Sequence, residues 1–438
     1  MDEHKLKENQ LKEEIFQKIK DFYELKHKHQ EFIPGKTKVN YAGRIYDERE
    51  MIAAVDSILD FWLTLKDKDE AFCKKFSELL GVRHTLLVNS GSSGNLLAVA
   101  ALRSNQFSRQ LKQGDEIITP AMNFSTALNP ITQNGLTPVI IDSEVGTYNL
   151  NSNELEKAYS PKTKAIMAPH ILGNPCEMDV IMDFAQDKNL IVIEDTCDAL
   201  DSRYGGKLCG TFGEMGTYSF YAAHHIFMGE GGAVVTQSEE LFKILKSLRD
   251  WGRVYNHDDL KLPFDERFSY KLDGKTYDSR YFFTNIGYNL KPLDLQAAIG
   301  LVQLDKLSRF TEIRKENFNK LYKALSQYGE FILPHAPKKA DPSWFAFTIT
   351  LDTDKFSRFD LVKFLEEKQI QTRYPFAGNI SKHPAYKGFP MRIVGNLEQS
   401  NRIMDNSFFV GLFPGINDAM LDYVIEKFHE FMAEHLRR

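Results

Sequence analysis

The sequence predicts an α/β protein in two parts: a large domain on a mostly parallel, doubly wound sheet, and a smaller C-terminal α+β domain. Three observations support this. Short apolar runs of strand length alternate with helical segments between residues 84 and 193, the pattern of parallel strands joined by crossover helices. A long Lys/Glu/Leu-rich helical stretch follows at 308–327. Beyond it, strand-like and helical segments mix within the last hundred or so residues, and 438 residues suffice for a large core plus a second domain.

Taken in order, residues 1–50 read as an N-terminal helical extension. Leu6, Leu11, Ile15, Phe16 and Ile19 are spaced for an amphipathic helix that packs one stripe on the main body. The stretch 41–64 contains a longer helix with apolar residues at 52, 55, 58, 59 and 62. The large domain is expected over 51–307. Its buried strands are read at 84–88, 116–119, 137–141, 165–168 and 190–193, and its helices at 94–102, 153–158 and 178–187. A linking helix and the small domain occupy 308–438, with strands at 343–351 and 369–376 and helices at 356–368 and 418–436. The chain has no internal repeat and no low-complexity linker.

Composition bounds the function. Hydrophobic residues are 42% and charged residues 26% of the chain, ordinary for a soluble enzyme. A net charge of -5 gives no support for binding nucleic acid or an anionic membrane. The opening run MDEHKLKENQ has no apolar core, so no signal peptide is expected. No apolar run approaches the roughly 18 residues of a membrane span. Cys73, Cys176, Cys197 and Cys209 match no zinc, iron–sulfur or C-x-x-C spacing. A reduced, cytoplasmic protein is the expectation.

Three polar clusters fall where predicted strands end, which is where an open parallel sheet binds ligands. The first, Asn89-Ser90-Gly91-Ser92-Ser93-Gly94-Asn95, joins a strand to a helix. Small residues and free N–H groups there suit a phosphate, and a tight turn with a capped helix suits them equally. The second is Val192-Ile193-Glu194-Asp195-Thr196. A carboxylate ending an apolar strand is costly unless paired, so Asp195 needs a protonated ring nitrogen, a local base or a helix to cap. The third is Ser219-Phe220-Tyr221-Ala222-Ala223-His224-His225-Ile226, where two histidines in a strand-like setting are either core residues or working groups.

Together these runs resemble the sugar aminotransferase superfamily of fold-type I pyridoxal-phosphate enzymes. The likeness runs almost end to end, through NSGSSGNLLA, GDEIITPAMNFSTALNPI, GLTPVIIDSEVGTYNL, MAPHILGNPCEMD, VIEDTCDAL, GTFGEMGTYSF, GEGGAVVT and GYNLKPLDLQAAIG. The resemblance implies that fold and assigns roles position by position. Ser92 and Ser93 hold the phosphate, with Ser219 adding a hydroxyl. Phe124 stacks on the pyridine ring, Asp195 pairs with the ring nitrogen, and Asn174 lies near the ring 3-hydroxyl. Asn289 reaches the phosphate of a neighbouring subunit, implying a homodimer with shared active sites. The residue five after Ser219 is the family's lysine, which tethers the cofactor; in this chain it is His224.

Imidazole forms no stable imine but moves protons near neutral pH. The resemblance therefore implies a non-covalent cofactor working as pyridoxamine phosphate, with His224 as the base. That exchange is similar to the 3-dehydrases of 3,6-dideoxysugar biosynthesis, which act on nucleotide-linked 4-keto-6-deoxyhexoses. The likeness is greatest to the CDP-4-keto-6-deoxy-D-glucose 3-dehydrase family, carried by YAGRIYDERE, LDFWLT, HHIFMGEGG, LRDWGR, PSWFAF, RYPFAGN and NSFFVGLFPG. That family places iron–sulfur cysteines after its RDWGR stretch. Here no cysteine follows Cys209, and a cluster needs four thiolates, so none is expected. The chemistry then resembles that of the GDP-4-keto-6-deoxy-D-mannose 3-dehydrases: the intermediate is released and hydrolysed, and the amine is replenished from a donor such as glutamate. The alternative is a separate reductase.

Two other functions compete: a sugar aminotransferase that tolerates histidine, and a non-catalytic cofactor-binding relative. A metal site built from His170, His224, His225, His257 and His383 is the weakest alternative, because neighbouring strand residues face opposite ways. Arg253, Arg373 and Arg402 are candidates for the substrate's diphosphate or an amino-acid carboxylate, or for surface ion pairs. His225 either supports His224 or packs.

Overall fold

The structure, a computed structural model, describes residues 3–28, 31–254 and 262–436. The run after Val254, including His257, lies outside them. No helix among the described residues is long and apolar enough to cross a membrane.

Seven strands build most of the large sheet: β1 (His84–Val88), β2 (Glu116–Pro120), β3 (Thr137–Ile141), β4 (Thr163–Pro169), β5 (Ile191–Asp195), β6 (Met215–Ser219) and β7 (Gly232–Thr236). An eighth, two-residue strand at Arg392–Ile393 pairs with the β3 edge. The order is β1-β7-β6-β5-β4-β2-β3 and then 392–393. Only β7 runs antiparallel to its neighbours. Every residue of β2 and β5 is buried, which explains why these strands read as continuous apolar runs. All five strands expected in the large domain are present, three of them longer by one to a few residues.

The helices are α1 (Glu3–Lys26), α2 (Glu48–Leu59), α3 (Asp67–Leu80), α4 (Gly91–Arg103), α5 (Ser125–Gln133), α6 (Met178–Asp187), α7 (Glu239–Arg249), α8 (Asp294–Leu325), α9 (Arg358–Glu367), α10 (Glu398–Asn406) and α11 (Asp418–Leu436), besides shorter turns. Asp47 caps α2 in a reciprocal box with Glu50. The helix stops at Leu59, before Phe61 turns left-handed at φ 49. Helix α1 buries none of its residues. Leu6, Leu11 and Ile15 stay exposed while Phe16 and Ile19 are half-buried and Lys12 pairs with Asp56 of α2 at 3.0 Å, so the expected packing of its apolar stripe is only partial.

The expected boundary between 307 and 308 does not exist as a break. Helix α8 runs straight through it, because no Pro or Gly interrupts 301–325. Its N-terminal end serves the large domain: the Asp294 carboxylate accepts from Lys66 N (2.9 Å) and Asp69 N (3.0 Å), capping α3. Its middle grips α2, where buried Glu50 meets Lys306 Nζ at 2.5 Å and Gln303 Nε2 at 2.6 Å. Its C-terminal half packs Phe318, Leu321 and Leu325 into the small domain.

The small domain holds a four-stranded antiparallel sheet: Phe331–Ile332, Ala346–Leu351, Ser407–Gly411 and Thr372–Arg373, in that order. The strand expected over 369–376 shrinks to Thr372–Arg373, since Pro375 supplies no N–H. Phe347, Phe408, Phe428 and Phe431 fill its core.

Removing the Glu50 carboxylate leaves Lys306 and Gln303 without their buried acceptor. Glu50→Ala is expected to cost about 3–5 kcal/mol, read as a lower denaturation midpoint, with Glu50→Gln recovering part of the loss.

Candidate active site

The C-terminal ends of β1, β2, β4, β5 and β6 open onto one cavity of about 290 Å³. Seven of the residues singled out in the sequence line it: Ser92, Phe124, His170, Asp195, Ser219, His224 and Arg373. Each except Arg373 lies at or just beyond the end of a parallel strand.

The capping reading of the first cluster holds. Ser90 caps α4 by accepting from Ser93 N at 3.1 Å, and the same first turn presents Ser92 to the cavity. The Ser93 hydroxyl accepts from Ser90 Oγ at 3.0 Å, which leaves its own O–H free to donate. The α4 start lies tight against β6. A Cβ on Gly91 would stand 2.5 Å from Ser219 Cβ and 2.8 Å from Cys197 Sγ.

The two neighbouring acids of β5 have different fates. Glu194 is saturated: it accepts from Gly210 N (2.7 Å), Phe212 N (2.6 Å) and Gly213 N (2.8 Å), and meets His170 Nε2 at 3.1 Å. Asp195 accepts from Asn95 Nδ2 (2.8 Å) and Cys197 N (3.1 Å). Among the described residues it has no ion-pair partner, and it faces the cavity. The local base considered for Asp195 is therefore absent, and a buried carboxylate open to a cavity suits a cationic ligand. Phe124 is half-exposed beside it, its ring edge-on to Phe376 at 5.7 Å.

His224 and His225 are not on a strand. They lie in the turn after β6, closed by Phe220 N to Gly231 O and Met228 N to Phe220 O, both 2.8 Å. The two rings still part company. His225 is buried and donates from Nε2 to Ser343 O at 2.7 Å, tying the turn to the small domain. His224 lines the cavity, with its ring 5.6 Å from that of Phe345. Burial and the nearby Arg314 charge hold its pKa down, at about 4.

Asn174, Asn289, Arg253 and Arg402 lie outside the cavity lining. Asn174 is behind the wall, its amide spent on Thr147 O (3.0 Å) and His335 O (2.9 Å). Asn289 is exposed outside the cavity. Arg253 also lies outside it, 4.5 Å over the Trp251 ring. Arg402 pairs with Asp352 at 2.5 Å on the surface, the ion-pair alternative. Arg373 stands at the cavity edge, 4.4 Å over Tyr41. His170 and His383 are both engaged, the latter through Ala377 O at 2.9 Å. No group of three or more potential metal ligands forms among the described residues.

The sequence did not single out Asp198, Asn123 or Tyr41, all of which line the cavity, nor the buried Arg314 behind it. Asp198 had a signal, since it lies three residues beyond Asp195 in the same cluster. Arg314 had none, being one cation among many in a Lys/Glu-rich helix.

Such a sheet, with a helix start, a buried acid and a nitrogen base converging at its strand ends, defines the aminotransferase-like class of pyridoxal-phosphate proteins. The chain belongs to the DegT/DnrJ/EryC1/StrS aminotransferase family, whose model matches residues 46–429. It is 45% identical to the lipopolysaccharide biosynthesis protein RfbH of Salmonella typhimurium over 97% of this chain and 99% of that one. It is 43% identical to the dTDP-4-dehydro-2,6-dideoxy-D-glucose 3-dehydratase of Saccharopolyspora spinosa, over 97% of this chain and 92% of that one. Among solved structures it resembles the E. coli GDP-4-keto-6-deoxy-D-mannose 3-dehydratase with bound hydrated pyridoxal phosphate. The TM-score is 0.81 and the identity 30%, over 89% of this chain and 100% of that one.

Because a side chain at 91 has no space between α4 and β6, Gly91→Ala is expected to push the helix start away from Ser219. The apparent Kd for pyridoxal phosphate should rise at least about tenfold, or ~1.4 kcal/mol, in an absorbance titration, with the far-UV circular dichroism unchanged.

Proposed function

We propose that the chain is a nucleotide-sugar 3-dehydratase that uses non-covalently held pyridoxal and pyridoxamine phosphate. Its substrate class is a nucleotide diphosphate linked to a 4-keto-6-deoxyhexose, in 3,6-dideoxysugar biosynthesis. One observation carries the reading. Among the described residues the cavity lining contains no lysine, and the nitrogen base at the family's lysine position is the His224 imidazole.

The residues present fit the cofactor. The start of α4 with Ser92, together with Ser219, suits its phosphate. Asp195, buried and without a cation, suits the ring nitrogen, and Phe124 offers a flat face. Bound there, the amine form supplies a nucleophile for the sugar ketone and an electron sink for breaking the neighbouring C–O bond.

The protein's share is positioning and proton transfer. His224 is held unprotonated at neutral pH by burial, so it is ready to accept a proton. Being free of any covalent tether, it stays beside the reacting carbons throughout. The same imidazole then returns the proton to the leaving hydroxyl. No cysteine follows Cys209, so the chain offers no second group of thiolates for an electron relay. The favoured outcome is release and hydrolysis, giving a 3-deoxy-4-keto sugar and ammonia, with glutamate becoming 2-oxoglutarate to restore the amine. A separate reductase is the other route. The similarity to two 3-dehydratases and to a lipopolysaccharide biosynthesis protein supports this reading.

The working unit is proposed to be a cytoplasmic homodimer. Asn289 and Arg253, outside the cavity of their own chain, then serve the neighbouring one. Arg373 at the cavity edge is the substrate-binding cation this geometry favours.

The test is product mass. Purified protein with pyridoxal phosphate, glutamate and a panel of nucleotide-linked 4-keto-6-deoxysugars should yield a product lighter by one oxygen atom. Replacement of the keto oxygen by an amino group would establish an aminotransferase instead. No product and no change of cofactor absorbance with glutamate would support a non-catalytic protein.

A further inference from the structure

Asp198 has no role in the chemistry above, yet it lies against the residue that performs it. It sits in the turn after β5, three residues beyond Asp195, and lines the cavity with its side chain 14% exposed. Its Oδ1 stands 3.5 Å from His224 Nδ1. That is an ion-pair distance and too long for a hydrogen bond, and Nδ1 is sealed from solvent without a hydrogen-bond partner. The ring keeps 15% of its surface open, so the edge it shows the cavity is the one bearing Nε2.

Behind the pair lies Arg314, from the middle of α8. It is 1% exposed. Its Nη1 donates to Trp344 O (3.2 Å) and Phe345 O (3.1 Å), and its Nε has no partner. Among the described residues no carboxylate comes within ion-pair distance of it. Its charge reaches Asp198 through space and is the opposing influence that draws the carboxyl down. A buried guanidinium, a carboxyl and an imidazole thus lie in sequence from the linking helix to the cavity. The Phe345 carbonyl that holds Arg314 belongs to the residue whose ring packs on His224.

We infer that Asp198 is a positioning residue for His224: it holds the proton on Nδ1, leaves Nε2 as the acceptor facing the cavity, and balances the charge the imidazole gains. This rests on the reading of His224 as the base. The balance is simple. When Nε2 takes a proton, the imidazolium and the Asp198 carboxylate form a neutral pair. When Nε2 gives it up, the proton on Nδ1 stays in place. The Asp198 carboxylate thereby joins the Cys197 backbone, which already favours the charged ring, in opposing the Arg314 charge.

The surroundings bear on pH. Burial and the Asp195 carboxylate push the Asp198 pKa up to about 7, while Arg314 and the Leu172 N–H draw it down. Cys197 on the same turn, His225 beside His224 and Tyr221, whose ring lies 6.3 Å from that of His224, are the other titratable groups there. Protonating Asp198 removes the negative charge that favours a proton on Nδ1 and allows the opposite tautomer, in which Nε2 carries the proton and cannot accept one.

The experiment is the half-reaction of full-length protein, pyridoxal phosphate and glutamate, followed by cofactor absorbance across pH. Wild type is compared with Asp198→Asn, Asp198→Ala and His224→Asn. The expected result for Asp198→Asn is unchanged cofactor affinity, a rate at least about tenfold lower, and loss of the acid limb seen in wild type. Asp198→Ala should behave the same way if it folds, and the near-isosteric Asn variant decides if it does not. An Asp198→Asn protein with wild-type rate and pH profile, while His224→Asn is inactive, overturns this inference alone. Wild-type activity in His224→Asn overturns the proposed function as well.

Discussion

The absence of a primary amine from the cavity governs the rest of the account. A lysine there would hold an aldehyde by a covalent bond. An imidazole holds nothing covalently, so every contact that retains the cofactor must be non-covalent. The cavity holds groups of that kind. The α4 start offers N–H groups and Ser92, β6 offers Ser219, and β5 offers a buried Asp195 with no cation of its own. Unlike Asp195, Glu194 is fully used by the protein, with three backbone donors and His170 around it. An unspent acid beside a spent one marks the working side of β5.

The fold makes this arrangement rigid. The cavity residues stand at the ends of strands in the middle of an eight-stranded sheet, and α8 joins the two domains without a break. His224 sits on a turn, but its neighbour His225 anchors that turn to Ser343, next to residues that hold Arg314. Linking helix, small domain and cavity wall are therefore connected through buried polar contacts. A displacement of α8 would be felt at the imidazole through Arg314 and Phe345.

Much of the site could be read from the sequence, for a physical reason. Buried parallel strands are apolar throughout, so the polar residue that ends each one stands out. Ser92, Phe124, Asp195, Ser219 and His224, expected that way or by family likeness, line one cavity. The placement of the other candidates has equally physical causes. Ser93 accepts from the Ser90 hydroxyl, and Asn174 turns its amide N–H groups to backbone carbonyls while its Oδ1 stays buried without a partner. Arg402 was one of several surface-capable arginines and found Asp352. Arg314 lies in a charged helix whose pattern does not show which cation turns inward. A single helix spans the expected 307/308 boundary and packs on both sides of it, and periodicity carries no mark of where one core gives way to another.

The most direct test of the central claim is the mass of the protein after borohydride reduction in the presence of excess pyridoxal phosphate, measured under denaturing conditions. An untethered cofactor predicts the mass of the bare chain, with the reduced cofactor recovered free in solution. A chain heavier by one phosphopyridoxyl group, mapped to a single lysine, would contradict it.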